Sequence, residues 1–201
     1  MKNLLLEGYG FACCCLPPAL LFFARRSERS SRGRRALFAL FLCYLGAVFS
    51  ITGAGTLYDL IARNFALSFY QSNLTPFASP FLSSGYLLNI LLFVPLGLLA
   101  VLLWPGRGCT AAAVGCGFFF SLAIECSQLC NNRFTDLDDL TANTLGALAG
   151  ALVALAVQKL LFRRRPAARP PLSPALYLAA AFLGRFLLFA KLRAAGWLYG
   201  F

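Results

Sequence analysis

Glu125 lies inside the apolar run 111–130, where an ionisable group is the first candidate for chemistry in this chain. A carboxylate in a membrane-spanning helix is costly to desolvate, so it faces the protein interior or a wet cavity and marks function. Ser121, Glu125 and Gln128 stand at i, i+4 and i+7, one face of a helix. That face can bind a ligand or handle a proton. It can equally form interhelical hydrogen bonds that lock a bundle. Of the seven acidic residues in 201, Glu125, Asp136, Asp138 and Asp139 fall within residues 121–150. Asp136, Asp139 and Asn143 again share a helical face, at i, i+3 and i+7. Thr135 and Asp138 have the spacing of a capping box, and acids in a first turn suit the positive end of the helix dipole. The aspartates therefore read both as a ligand site and as a capped helix start. Arg133 is their electrostatic partner, with Glu125 among its choices, or else an anion fork for a phosphate or carboxylate. Asn89 adds an amide at the outer end of the third apolar run, where one buried amide is often just a helix–helix bond.

The elements that must position these residues are membrane helices. Hydrophobic residues make up 60% of the chain and charged residues 12%, with a mean hydropathy of +0.74; soluble domains run nearer ~45–50% and ~25%. Runs close to the roughly 20 apolar residues of a span occur at Leu4–Ala24, Ala36–Asp59, Gly85–Trp104, Cys109–Cys130, Leu140–Phe162 and Leu172–Ala190. The expected fold is all-α: a polytopic protein of about six transmembrane helices in one compact bundle. The net charge of +11 does not indicate nucleic acid, because it is concentrated in connections. Arg25, Arg26, Arg29, Arg32, Arg34 and Arg35 follow the first run, and Arg163, Arg164, Arg165 and Arg169 follow the fifth. Arg107 lies between the third and fourth. With six spans these connections share one side, cytoplasmic by the positive-inside rule. The polar cluster then sits at the outer face, at the ends of spans three to five.

The eight cysteines lie in or at the ends of apolar helices, form no C-x-x-C pair and read as small hydrophobes. No histidine is present, which excludes Ser-His-Asp and Cys-His catalysis within the chain. The first run has Glu7, lacks a strong basic leader and ends in Arg25-Arg26, so it reads as a retained helix rather than a signal peptide. Pro17-Pro18 is expected to kink it. Pro95 and Gly97 weaken the third helix mid-membrane, which neighbouring helices must compensate. Gly146 and Gly150 form a G-x-x-x-G spacing that admits another helix closely. Residues 71–84, rich in aromatics and prolines, read as an interfacial loop. Arg185 in the last run leaves three readings open: snorkelling, pairing with a carboxylate, or partial insertion of that helix.

Five stretches in order resemble the VanZ-like family. They are Asn73-Leu74-Thr75-Pro76-Phe77; Asn89-Ile90-x-x-Phe93-Val94-Pro95-Leu96-Gly97; Ser121-x-x-x-Glu125-x-x-Gln128; Arg133-x-x-Asp136-x-x-Asp139; and Asn143-Thr144-x-Gly146-Ala147-x-x-Gly150. The resemblance implies a VanZ-like membrane domain over residues 36–201, with its core motifs at 73–150. Residues 1–35 form an N-terminal extra helix and arginine-rich connection. It also implies a bacterial cytoplasmic membrane and a link to lowered susceptibility to teicoplanin-type lipoglycopeptides, without alteration of the peptidoglycan terminus.

The leading expectation is a non-enzymatic envelope protein without cofactor or metal. Asn89, Ser121, Glu125, Gln128, Arg133, Asp136, Asp139 and Asn143 would line an outward-facing pocket for an amphiphile. Candidates are a lipid-linked wall precursor, a phospholipid headgroup or the antibiotic itself. The alternative is an intramembrane enzyme acting on a lipid-linked phosphate or ester, with Glu125, Asp136 and Asp139 as its catalytic groups. Asp136, Asp138 and Asp139 would then hold a hard cation through oxygen. A proton-coupled transporter is a third reading, although no internal repeat of the usual kind is seen. A scaffold for another membrane protein is a fourth.

Overall fold

The computed structural model describes residues 2–24, 32–67, 72, 73, 75, 83–131, 133, 135–161, 172–191, 194 and 196. Arg25, Arg26, Arg29, Arg163, Arg164, Arg165 and Arg169 lie outside the described residues, as does most of the 71–84 connection. The helices are α1 (Lys2–Ala24), α2 (Arg32–Thr52), α3 (Leu57–Ala62), α4 (Ser84–Leu103), α5 (Cys109–Gln128), α6 (Leu137–Leu161) and α7 (Pro174–Leu188). A two-residue parallel pairing joins β1 (Ser72–Asn73) to β2 (Thr135–Asp136), with Asn73 opposite Asp136. The all-α, polytopic fold class is thus present.

Five helices are long and apolar enough to cross a membrane, and α7, at 15 residues, is shorter. Six crossings were expected. The last run falls short because Phe189 turns extended after Leu188 and ends the helix. The run at Ala36–Asp59 is also broken. Gly53 takes a positive φ of 59°, which glycine adopts without Cβ strain, and α2 stops at Thr52. A new helix, α3, then starts at a full capping box between Thr56 and Asp59.

The outer surface of the bundle is apolar, with Leu20, Leu88, Leu91, Phe119 and Leu160 all exposed. A surface of this kind requires a nonaqueous neighbour. Inside, Phe41, Leu45, Phe49, Phe93, Leu96 and Ile124 are fully buried. Phe49 meets Phe120 edge-on at 5.4 Å between ring centroids, tying α2 to α5.

The most extensive contact is α4 against α6, and α5 packs on both. Glycine makes this possible. A Cβ on Gly97 would overlap the Ala147 carbonyl, and one on Gly146 or Gly150 would overlap the Ile90 or Val94 carbonyl. Backbones therefore touch directly, as the G-x-x-x-G spacing anticipates. Pro95 stays within α4, and Tyr44 of α2 donates its hydroxyl to the Leu92 carbonyl at 2.9 Å. Pro95 withholds an N–H from the Leu91 carbonyl four residues back, and the tyrosine bonds the next carbonyl along the same turn. On the other flank α1 packs on α7 and α2. The α1 helix continues through Pro17 and Pro18. Gly184 of α7 lies against the Cys13 carbonyl, the acceptor that Pro17 leaves without its helical donor. Arg185 places its guanidinium 3.6 Å over the Phe189 ring, a cation–π contact.

Candidate ligand-binding site

The site forms where α5 ends and α6 begins. Glu125 and Gln128 are buried near the end of α5, and Ser121 one turn earlier is completely so. The Glu125 carboxylate accepts the Asp136 backbone N–H through Oε2 at 3.0 Å. Thr135 donates its hydroxyl to the Glu125 carbonyl at 3.3 Å. Asp136 in turn accepts the Asp138 N–H at 2.9 Å, which makes Asp136 the cap of α6. The cap therefore falls one residue after the expected Thr135, whose hydroxyl is turned to the Glu125 carbonyl of α5. Glu125 is likewise tied to backbone.

Two acids and three amides then face a common space. Asn89, Glu125, Gln128, Arg133, Asp139 and Asn143 line a cleft of about 380 Å³, together with Ile51, Thr52 and Leu92. Asn89 Nδ2 donates to Asp139 Oδ1 at 2.5 Å, joining α4 to α6. Asn143 Nδ2 donates to Ser121 Oγ at 2.9 Å, joining α6 to α5. Gln128 Nε2 donates to the Thr52 carbonyl at 2.9 Å, joining α5 to the last turn of α2. Each amide nitrogen is thus engaged by protein. The oxygens are not: Gln128 Oε1 and Asn143 Oδ1 are buried without a hydrogen-bond partner. A buried acceptor left unpaired costs about 1–3 kcal/mol, and ligand sites are a common reason to keep one.

Arg133 stands exposed at the rim, its guanidinium packed on Gly53 so closely that any Cβ there would collide with it. Nearby, Asn131 Nδ2 reaches the Gly53 carbonyl at 3.0 Å and the Gly55 N–H reaches Ser127 Oγ at 3.1 Å. The break after α2 is thereby latched to the end of α5.

Six of the eight residues singled out from sequence meet in the cleft. The other two stand behind it: Ser121 supports Asn143, and Asp136 supports Glu125. Ile51, Thr52 and Leu92 escaped the sequence reading. Thr52 engages Gln128 through its backbone carbonyl, which carries no side-chain signature, and Ile51 and Leu92 look like any apolar helix residue. The Gly53-x-Gly55 spacing inside an apolar run was the available clue to a break there. Among the described residues no group of three or more His, Cys, Asp or Glu is disposed to hold a metal ion. Asp138 is buried in the first turn of α6 and does not line the cleft.

Neither a search of curated proteins nor one of solved structures gives a match. A family model described as VanZ/LLP1 does match, over residues 35–161. That stretch runs from α2 through α6, is well over half of the chain and holds every lining residue of the cleft. On that match, this helical membrane protein belongs to the VanZ/LLP1 family.

Proposed function

We propose that this protein is a non-enzymatic binder of an amphiphile in the bacterial cytoplasmic membrane, and that its occupancy lowers susceptibility to teicoplanin-type lipoglycopeptides. One observation carries the reading: six polar side chains line a single cleft, and two buried amide oxygens in it lack a partner. Ile51 and Leu92 give the same cleft an apolar side, and Leu88 and Leu91 beside Leu92 are exposed on the outer surface. A molecule with a polar head and a hydrocarbon tail suits both halves. Arg32, Arg34 and Arg35 begin α2 and Arg107 follows α4, so they lie at the opposite end of these helices from the cleft. Under the positive-inside rule this arrangement turns the cleft outward.

The test is teicoplanin susceptibility in a sensitive Gram-positive host expressing wild type, Glu125→Gln or Asp139→Asn at matched membrane levels. Protection by wild type with loss in both variants supports the reading. Equal protection by all three makes the cleft a packing feature, and no protection by any of them removes the link to the antibiotic.

A further inference from the structure

Among the described lining residues of the cleft, the buried polar atoms left wholly without a partner are oxygens. Each amide nitrogen already donates one of its two N–H groups to protein: Asn89 to Asp139, Asn143 to Ser121 and Gln128 to Thr52. On the acceptor side, Gln128 Oε1 and Asn143 Oδ1 are buried and unpartnered. Each carboxylate also has an oxygen to spare, since Glu125 uses Oε2 for Asp136 and Asp139 uses Oδ1 for Asn89. Four oxygens from α5 and α6 therefore await donors. The single cationic lining residue is Arg133, at the exposed rim.

From this we infer that the cleft recognises a primary ammonium carried beside a phosphate, the headgroup of an ethanolamine phospholipid. The inference rests on the amphiphile-binding reading of the same cleft and names its ligand. An ammonium presents three N–H donors and no acceptor, which is the complement of an interior rich in open oxygens. The phosphate one short linker away falls to the guanidinium at the rim, whose fork geometry matches it. Size argues in the same direction. About 380 Å³ is near the lower end of ligand cavities, roughly 300–1,000 Å³. It accommodates a headgroup of this size. The tail runs out past Ile51 and Leu92.

The discriminating comparison removes only the N–H groups. Phosphatidylcholine keeps the positive charge and the phosphate but replaces all three donors with methyls, so it leaves the buried oxygens unpaired. Phosphatidylglycerol keeps the phosphate and lacks the cation. Sites built to hydrogen-bond a ligand discriminate strongly against analogues that lack the donor.

The full chain is titrated with each of the three lipids at matched acyl length in detergent micelles, and bound lipid is counted by native mass spectrometry. Wild type is expected to prefer phosphatidylethanolamine by at least about tenfold, as loss of one charge-assisted hydrogen bond or more requires. The preference is expected to collapse in Asp139→Asn and Glu125→Gln, with thermal melts showing that both remain folded. Equal binding of the three lipids, or a preference for phosphatidylglycerol, that is lost in these variants overturns the ammonium assignment and leaves the cleft an amphiphile site. Binding that neither variant changes overturns both readings. If a variant does not fold, the wild-type comparison of the three lipids alone decides for or against the ammonium.

Discussion

The carboxylate of Glu125 holds the backbone N–H of Asp136 at 3.0 Å, so an acid near the end of α5 closes the connection that starts α6. Glutamine keeps a carbonyl oxygen in that place; alanine leaves the N–H without its acceptor. An orphaned buried donor costs about 1–3 kcal/mol. Glu125→Ala is therefore expected to lower the thermal midpoint of the purified protein clearly below that of Glu125→Gln, which stays near wild type. Equal midpoints for the two variants would show that the carboxylate does not hold the turn.

Tyr44 offers a similar test deeper in the bundle. Its hydroxyl, 2.9 Å from the Leu92 carbonyl, serves backbone in the turn disturbed by Pro95. Tyr44→Phe keeps the ring and removes only that bond, for an expected loss of about 1 kcal/mol. In Pro95→Ala the restored N–H serves the Leu91 carbonyl, four residues back, and not the Leu92 carbonyl that the tyrosine holds, so the same Tyr44→Phe change should cost as much. A double-mutant cycle on thermal stability measures the coupling, and a cost that falls in the Pro95→Ala background would show that the hydroxyl makes up for the proline after all.

These relationships show how far the sequence could be read. Helical spacing alone places Glu125 with Gln128 and Asp139 with Asn143, because membrane helices keep their period and polar side chains are scarce enough to stand out. A close approach of another helix to α6 was equally visible in Gly146 and Gly150, though not that α4 is the partner. What stayed hidden runs through backbone. The Thr52 carbonyl, the Asp136 N–H and the break at Gly53 carry no side-chain label, and an apolar run conceals a turn that is latched from another helix. The capping of α6 by Asp136 was missed for a related reason: Thr135 fits the cap by type, but its bond to the Glu125 carbonyl claims it. The end of α7 falls at an extended residue, Phe189, whose type gives no sign of a break.

The α4–α6 contact predicts a sharp contrast between glycines. A Cβ at Gly97 would overlap the Ala147 carbonyl, whereas one at Gly115 meets nothing within 4 Å. Gly97→Ala forces two backbones apart, and overpacking of this kind typically costs about 1–3 kcal/mol. Gly115→Ala lies on a helix with room for the methyl and gains the propensity difference between the two residues, up to about 1 kcal/mol. Thermal melts of the two variants should move in opposite directions. A shift of the same sign and size in both would contradict the close approach.

Gln128 separates stability from binding most cleanly. Its Nε2 satisfies the Thr52 carbonyl at 2.9 Å, one of the acceptors that a helix end leaves open, while its Oε1 is buried and unpaired. Gln128→Leu removes a good hydrogen bond and an unsatisfied acceptor together. These changes oppose each other at about 1–3 kcal/mol apiece, so the variant should melt close to wild type. Its response to ligand should differ. A lipid bound only by the folded state stabilises by about 2.7 kcal/mol at a hundredfold excess over Kd, and wild type is expected to show an upward shift with phosphatidylethanolamine. Gln128→Leu, without the oxygen that receives an ammonium, should shift much less. If the variant gains as much from the lipid as wild type does, Oε1 does not meet the ligand, and its missing partner is a packing compromise in the α2–α5 latch.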